Sequence, residues 1–397
     1  MNARTRTLLA AALVLGTAAG PLTSPAAARS PLPAAAPASR VSPASPVSPA
    51  PAGPDAGALR AALTGLPGTH ATAALVRVGG TGGSWRGSAG VHDLRGGRPA
   101  DPDARFRAGS VTKVFTAAVV LQLAGEGRVR LDGYVREYLP DLIPAAYGRV
   151  TVRQLLDHTH GMPNADAPGG DVHDWYARRL DVHDPRAAVA SATAKERVAP
   201  PGEVQRYGNI GYTVAGLLIE RVTGDTYENQ VTRRILRPLG LRGTYLPGAS
   251  PRIRGPHNHG YQVFPMPDGS TELRDATVWG VTDTWAAGAL ISTTADLERF
   301  MRALFRGEVV RGPLLEEMFT VPAGVPGATM SAGLQRYEVG DGRVLWLKSG
   351  ARWGYSTMIA ATRDLSRTLV YSVNSTDAKG KEGNPVTERI TRAAFAR

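Results

Sequence analysis

Strand-like segments lie near both ends of this 397-residue chain, and a long, mostly helical stretch separates them. Residues 70–78 and 84–91 are two such segments joined by a glycine-rich turn, which is typical of a β-hairpin. Segments of similar composition near the end of the chain are 344–347, 355–361 and 368–373. Because distant segments can share one antiparallel sheet, the order predicts an α+β fold with terminal helices covering one face of the sheet. A mostly helical insertion lobe is predicted at about residues 116–275.

Capping residues predict where several helices begin and end. A helix is predicted from about Val111 to Leu123 by its apolar spacing. Residues 151–154 have the sequence of a capping box, and residues 209–223 form a helical pattern that stops at Gly224. Further helix starts are predicted at two capping residues, Thr293 and Asn384.

The first 54 residues predict an exported chain. Arg4 and Arg6 precede an apolar run at residues 8–19 that is too short to span a bilayer, and small residues at 26–28 suit a signal peptidase. We therefore expect residues 1–28 to be a cleaved signal peptide, and the protein to be secreted to the cell envelope without an integral membrane segment. The alternative is an uncleaved membrane anchor.

The Ala-, Pro- and Ser-rich residues 29–54 cannot bury enough apolar area to order themselves, which predicts a disordered linker. One folded domain is predicted at residues 55–397.

Composition excludes several chemistries. The chain has no cysteine, so it has no disulfide, no thiol nucleophile and no cysteine-ligated zinc. Its formal charge is +12, but the basic residues form no dense run, so we expect no nucleic-acid partner and favour an anionic cell envelope. Only five of the 46 basic residues are lysine. Because arginine cannot lose its proton in a protein, these lysines are the candidates for a basic amine.

Ser110 and Lys113, at the start of the first long helix, are a candidate nucleophile and base. A spacing of three residues places both side chains on one helix face. A neutral lysine amine can take the hydroxyl proton, and burial or nearby cations lower a lysine pKa toward that state. The helix N-terminus favours negative charge on an attacked carbonyl oxygen. On these residues alone, a capping serine beside a surface lysine is an equal alternative.

Tyr207-Gly208-Asn209 lies between the breaker at residues 200–202 and a helix, so it is predicted to be a loop. A tyrosine can relay a proton, and an asparagine can orient a lysine and bind a substrate amide. The alternative is a turn in which Asn209 caps the helix that follows.

Lys348-Ser349-Gly350 follows the strand-like residues 344–347 and is predicted to lie on an edge strand. A lysine and a hydroxyl suit a substrate carboxylate, and Arg352 adds a further candidate positive charge. Glycine permits close backbone approach, and the N–H groups beyond it can complete an oxyanion hole. The alternative is an ordinary strand-to-turn exit.

Two histidine pairs, His158/His160 and His257/His259, have a spacing that a metal could use. No carboxylate cluster accompanies them in the sequence. We therefore expect helix-end and loop roles for them, and neither a metal nor another cofactor.

The order S-x-x-K, Y-x-N and K-[ST]-G is that of the penicillin-recognising enzymes. The chain resembles the serine β-lactamase-like superfamily, in the branch that holds class C β-lactamases, serine D-alanyl-D-alanine carboxypeptidases and related esterases. The resemblance covers about residues 58–397 and implies a β-lactamase/transpeptidase-like fold. Further segments that carry it are 106–123, 155–161, 201–224, 236–241 and 287–293.

The resemblance implies a role for each catalytic candidate. Ser110 is the nucleophile, Lys113 is its base and Tyr207 is a second proton relay. Asn209 supports Lys113 and the substrate amide, and Lys348 helps to polarise the site.

For substrate recognition, the resemblance implies that Ser349 meets a substrate carboxylate and that the N–H groups of Ser110 and Ala351 form the oxyanion hole. The sequence departs from the family pattern twice. Gly208 replaces the usual serine or alanine, and Lys348 stands where peptidases of this branch often carry histidine. Both departures concern the substrate rather than the mechanism.

The expected function is therefore a secreted D-alanyl-D-alanine carboxypeptidase acting on peptidoglycan stem peptides through an acyl-enzyme, with β-lactams as covalent ligands. One alternative is a class C-like β-lactamase or an esterase with the same site and another small acyl donor. A further alternative is a non-catalytic penicillin-binding sensor domain. Intact Ser110, Lys113 and Tyr207 argue against that alternative, because a pure binder does not need them.

Overall fold

The structure is a computed structural model, and it describes residues 53–340, 342–380 and 382–396. The predicted signal peptide lies outside the described residues, as does the predicted linker except for Gly53 and Pro54. Within the described ranges, no helix has both the length and the apolar character needed to cross a membrane.

Strands from both ends of the chain form one six-stranded antiparallel sheet. From one edge to the other, the strands are β2 (Trp85–Gly90), β1 (Ala71–Gly79), β10 (Thr368–Ser375), β9 (Tyr355–Thr362), β8 (Val344–Arg352) and β7 (Gln335–Glu338). In the pairing of β1 with β10, Val76 lies opposite Tyr371. The first hairpin and the last strands therefore share one sheet, which confirms the predicted fold class. Two-stranded sheets join β3 (Phe106–Arg107) to β6 (Ile291–Ser292) and β4 (Tyr261–Pro265) to β5 (Thr271–Asp275).

The terminal helices α1 (Ala56–Ala62) and α11 (Pro385–Phe395) pack on each other and on one face of the sheet, as predicted. The side chain of Asn384 accepts a hydrogen bond from Val386 N, so the predicted helix start is confirmed. Ile390 is fully buried in the core that these helices share with the sheet.

The sheet separates two apolar cores. Val76 and Leu369 belong to the core under the terminal helices, whereas their chain neighbours Leu75 and Val370 belong to the larger core on the opposite face. Successive side chains of a strand point to opposite faces, so the apolar residues of β1 and β10 pack alternately into one core and the other.

The larger core contains most of the helices. Its long helices are α2 (Thr112–Gly125), α7 (Ile210–Thr223) and α9 (Thr294–Phe305). Its shorter helices are α3 (Val135–Tyr138), α4 (Val152–Leu156), α6 (Pro185–Thr193), α8 (Tyr227–Val231) and α10 (Pro313–Glu316), whereas α5 (Val172–Ala177) packs on a separate cluster around Trp279 and Trp353. Residues 112–121 of α2 are all buried, as in a helix at the centre of a core. Lys113 is thus the one ionisable residue in a buried stretch whose other residues are apolar or bear a hydroxyl.

The predicted helix signals in this core are confirmed. Thr151 forms a full capping box with Gln154, α7 ends at Gly224 with φ +70°, and the Thr293 side chain accepts from Asp296 N. The helix predicted from Val111 instead opens with a 3₁₀ turn, Gly109–Val111, before α2 begins.

The sheet differs from the prediction at β8. The sequence placed the end of this strand at Leu347, but β8 continues to Arg352 and pairs with β9 along that length. The true edge strand, β7, pairs only with residues 344–347. Because β7 does not extend to residues 348–352, the side of β8 that faces away from β9 is free there, and the turn Gly109–Val111 packs against it.

Candidate active site

Ser110 and Lys113 meet where the 3₁₀ turn passes into α2. Lys113 Nζ lies 3.0 Å from Ser110 Oγ, and Lys113 is 0% exposed. The amine also donates to Asn209 Oδ1 at 2.8 Å and to the carbonyl oxygen of Ala287 at 2.8 Å. The structure therefore surrounds the amine with oxygen atoms inside the core, and the surface-lysine alternative is excluded.

Tyr207 approaches the same serine from the loop that precedes α7. Its hydroxyl donates to Ser110 Oγ at 2.7 Å. Lys113 Nζ lies 5.0 Å from the centre of the Tyr207 ring, and Lys348 Nζ lies 4.9 Å from it. Ser110 Oγ thus has an amine and a phenol within hydrogen-bond distance, and a second amine lies close behind the phenol.

The amine and the phenol shift each other's pKa. Burial lowers the pKa of Lys113 to about 8, with Tyr207 opposing this shift and the charge of Lys348 adding to it. Burial alone raises the pKa of Tyr207, but the charges of Lys113 and Lys348 outweigh that effect and lower it to about 7. The two groups titrate as a pair near neutral pH, where one of them can accept a proton.

Two glycines let the backbone of the turn approach β8. A Cβ on Gly109, which has φ +52°, would lie 2.6 Å from Ala351 N. A Cβ on Gly350 would lie 2.9 Å from Ser110 N and would clash with the Ala108 carbonyl oxygen. Real Cβ atoms do not approach heavy atoms this closely, so only glycine fits at either position. The close approach brings the backbones of Ser110 and Ala351 together beside the nucleophile.

The rest of the third motif lines the same place. Lys348 is 9% exposed, and its Nζ donates to the Ser349 carbonyl oxygen at 2.8 Å. Ser349 is half-buried, next to Gly350, on the part of β8 that pairs with β9 but not with β7. The structure therefore brings all three sequence motifs to one site, although they are far apart along the chain.

A sequence profile described as Beta-lactamase matches residues 59–391, which is most of the chain. The chain belongs to the beta-lactamase family. The matched region contains every residue that meets at Ser110.

Proteins of similar sequence support this family assignment. Penicillin-binding protein 4* of Bacillus subtilis is 27% identical over 319 residues, which is 77% of this chain and 68% of that protein. Penicillin-binding protein 4 of Amycolatopsis lactamdurans is 30% identical over 263 residues, 64% of this chain and 62% of that protein. The chain thus spans about two thirds of the length of these relatives.

Solved structures agree as well. A D-stereospecific amidohydrolase from Streptomyces sp. has a TM-score of 0.73 and 31% identity, covering 86% of this chain and 99% of that one. The D-amino acid amidase from Ochrobactrum anthropi SV3, at 23% identity, shares the fold with a TM-score of 0.72, covering 85% of this chain and 98% of that one. These matches confirm the β-lactamase/transpeptidase-like fold. Together with the penicillin-binding relatives, they support a serine hydrolase that forms an acyl-enzyme.

The structure pairs Arg352, the further positive charge predicted for the substrate, with another residue of the beta-lactamase domain. Arg352 is 2% exposed, and its guanidinium donates to both carboxylate oxygens of Asp283 at 2.8 and 2.9 Å. It also donates to the Gly280 carbonyl oxygen at 2.8 Å and to Thr284 Oγ1 at 3.1 Å. These hydrogen bonds tie the end of β8 to residues 280–284, and whether Arg352 also contacts a substrate stays a prediction.

Sequence reasoning passed over Lys379, in the loop after β10. Desolvation lowers the pKa of its amine to about 8, although the residue as a whole is solvent-exposed. The charges of Arg352 and Lys113 also lower this pKa, whereas Asp283 and Tyr207 oppose the shift. The available signal was that Lys379 is one of only five lysines.

The His158 ring packs beside the ring of Tyr207. It has φ +65°, its ring centre lies 4.7 Å from that of Tyr207, and its Nδ1 accepts from Gly208 N at 3.4 Å. Burial and the charge of Lys113 hold its pKa well below the usual range, so the ring is neutral. Among the described residues, no group of three or more His, Asp or Glu side chains is arranged to hold a metal ion.

Proposed function

We propose that this chain is a D-alanyl-D-alanine carboxypeptidase that releases the last D-alanine of peptidoglycan stem peptides. The observation that carries the proposal is the contact of Ser110 Oγ with Lys113 Nζ at 3.0 Å and with the Tyr207 hydroxyl at 2.7 Å. A serine with two proton-transfer groups in reach suits acyl transfer. The relatives named as penicillin-binding proteins support a donor with the amide and carboxylate that penicillins and D-Ala-D-Ala share.

In the acylation step, Ser110 Oγ attacks the carbonyl carbon of the penultimate D-alanine. Its proton passes to the Lys113–Tyr207 pair, and the carbonyl oxygen becomes an oxyanion that the N–H groups of Ser110 and Ala351 stabilise. The C–N bond then breaks, and the departing amine takes a proton from Tyr207. The products are free D-alanine and an ester on Ser110.

In the deacylation step, water attacks this ester. The same pair takes a proton from the water and returns one to Ser110 Oγ as the ester bond breaks. The peptide leaves with a new carboxylate, and the enzyme is restored.

Substrate recognition is proposed for the groups around this centre. Asn209 has its Oδ1 on Lys113 Nζ, which leaves its amide nitrogen as a donor for a substrate carbonyl. The amines of Lys348 and Lys379 and the hydroxyl of Ser349 provide positive charge and a donor for the terminal carboxylate. Gly350 and Ala351 supply the backbone against which an extended peptide can lie.

A D-stereospecific amidohydrolase is a second candidate. The Streptomyces protein of that name is 31% identical, and the match covers 99% of it. The occupation of Arg352 by Asp283 also removes one positive charge from carboxylate recognition. Both candidates hydrolyse an amide after a D-residue, and they differ in whether the leaving group carries a carboxylate.

A steady-state comparison tests the proposal. The purified protein is given a diacylated L-Lys-D-Ala-D-Ala peptide, its L-Ala-L-Ala counterpart, a D-alanine amide, nitrocefin and a short-chain ester. Ser110→Ala is the control for each donor. We expect the D-Ala-D-Ala peptide to have the highest kcat/KM, with D-alanine released and the acyl-enzyme visible by intact mass.

Other outcomes overturn the proposal in distinct ways. Faster hydrolysis of the D-alanine amide supports the amidohydrolase. Fast turnover of nitrocefin or of the ester supports a β-lactamase or an esterase. Penicillin binding without turnover of any donor leaves only the sensor alternative.

We also propose that the protein is exported to the cell envelope, where this substrate occurs. The proposal rests on Arg4, Arg6, the apolar run at residues 8–19 and the small residues at 26–28. N-terminal sequencing of the protein from the culture medium is expected to start at or near Arg29. A secreted chain that starts at Met1 refutes the cleavage.

A further inference from the structure

Another residue's side chain fills the space beside Gly208, in the middle of the Tyr207–Asn209 loop. The three atoms nearest to the place of a Cβ on Gly208 all belong to Asn164: Oδ1 at 2.6 Å, Cγ at 3.4 Å and Nδ2 at 3.5 Å. A side chain at position 208 must therefore displace the Asn164 carboxamide. The space that a serine or alanine side chain would need at position 208 is thus filled by Asn164, 44 residues earlier in the chain.

The same carboxamide is bonded to the loop. Asn209 N donates to Asn164 Oδ1 at 3.2 Å, and Gly208 N donates to His158 Nδ1 at 3.4 Å. Side chains from residues 158–164 thus hold the N–H groups of Gly208 and Asn209. Because Asn209 Oδ1 accepts from Lys113 Nζ at 2.8 Å, the position of the Asn209 backbone bears directly on the buried amine.

Asn164 is itself anchored from behind. Lys195 Nζ donates to the Asn164 carbonyl oxygen at 3.0 Å and pairs with Asp166 Oδ1 at 2.6 Å. The Tyr147 hydroxyl in turn donates to the Lys195 carbonyl oxygen at 2.7 Å. Asn164 is exposed, so apolar packing does not explain its position. Hydrogen bonds to its backbone carbonyl and to its carboxamide hold Asn164 in place.

We propose that Asn164 is a positioning residue for the Tyr207–Asn209 loop: its carboxamide takes the place of the side chain at position 208 and sets the position of Asn209, and through Asn209 that of Lys113. The inference rests on the proposed role of Lys113 as the base for Ser110. A glycine between two site residues has more conformational freedom than serine or alanine, and the Asn164 carboxamide restricts it from outside.

A double-mutant cycle of Asn164→Ala and Gly208→Ala tests this coupling. The measurement is the rate of covalent labelling by a fluorescent penicillin, which does not require a D-Ala-D-Ala carboxypeptidase. We expect each single variant to label about tenfold more slowly. The double variant should label faster than either, because the methyl group introduced at position 208 then occupies the vacated space. Asn229→Ala, an exposed asparagine on α8, is the matched control with an unchanged rate.

Two further readouts separate positioning from a merely structural role. Asn164→Asp keeps the oxygen acceptor for Asn209 N and is expected to retain most of the rate. In Asn164→Ala, the acid limb of the labelling rate is expected to move to lower pH, because a displaced Asn209 Oδ1 no longer stabilises the Lys113 ammonium. Lower thermal stability with an unmoved limb would show a structural role only.

Hydrogen exchange keeps the inference testable without any activity. The Asn209 N–H is expected to exchange at least tenfold faster in Asn164→Ala than in the wild type. Unchanged exchange, or single-variant effects that simply multiply in the double variant, overturns the proposal. If the wild type labels with penicillin but does not cleave D-Ala-D-Ala, the carboxypeptidase proposal fails while this one stands. If it labels with nothing, the exchange measurement decides.

Discussion

Lys113 Nζ and Ser110 Oγ are 3.0 Å apart, and the amine has no exposed surface. One turn of chain sets their spacing, but the packing of α2 against α7 and the residues around Ala287 keeps water from the amine. Burial then lowers the pKa of Lys113 to about 8, so a neutral amine is accessible near physiological pH.

The first prediction concerns this pair. Lys113→Arg should lose on the order of a thousandfold or more in acylation, because arginine stays protonated and cannot accept the serine proton. Stopped-flow labelling with a fluorescent penicillin measures the rate. Ser110→Ala is the control, and it should abolish labelling while its circular dichroism stays that of the wild type. An active arginine variant would assign the base to Tyr207.

The second prediction concerns pH. A deprotonated group in the Lys113–Tyr207 pair is needed as base, so acylation should be slow at acid pH and rise through about pH 7 to 8. The Lys348 charge lowers the pKa of both groups. Lys348→Ala should therefore move the rise to higher pH, whereas Arg130→Ala, which removes an exposed charge from a surface ion pair, should not. A shift to lower pH in Lys348→Ala would contradict this electrostatic account.

The third prediction separates recognition from chemistry at Lys348. Lys348→Ala should reduce kcat/KM for a donor with a terminal carboxylate more than for a neutral ester. The difference should be about 1.5–3 kcal/mol, the usual size of a hydrogen bond to a charged group. Parallel assays of both donors on wild type and variant give the value. Equal losses for both donors would place Lys348 in the chemistry alone.

The fourth prediction tests the buried ion pair. Arg352→Ala leaves Asp283 without its main partner and should lower the free energy of unfolding by about 3–5 kcal/mol. Urea unfolding measures this change, and Asp283→Ala combined with Arg352→Ala should recover part of it. Any loss of activity should be the same for carboxylate and neutral donors. Normal stability with a selective loss for carboxylate donors would identify Arg352 as a substrate contact.

Local signals were sufficient for much of the fold. The capping box at Thr151, the glycine end of α7 and the Asn384 helix start all depend on residues within one turn of one another. A capping side chain reaches only its own helix end, so its neighbours in sequence decide the outcome. The hairpin and the late strands were predictable for the same reason, because their side chains alternate or branch within each short segment.

Other properties depended on residues that are distant in sequence. Arg352 is paired with a carboxylate 69 residues away, and Asn209 is held by a carboxamide 45 residues away. The residues next to Arg352 and Asn209 in the sequence do not predict these partners.

The sequence by itself determined the long helices, the first hairpin, the positions of the last three strands and which residues can carry acyl-transfer chemistry. Helix periodicity and capping act over one turn, and residue type sets whether a side chain can accept or donate a proton. Only the tertiary structure decided that β8 passes beside the 3₁₀ turn, that Arg352 pairs with Asp283, and that the Asn164 carboxamide occupies the place of a side chain at position 208. Those outcomes depend on burial and on contacts between distant segments, and the same burial lowers the pKa of Lys113.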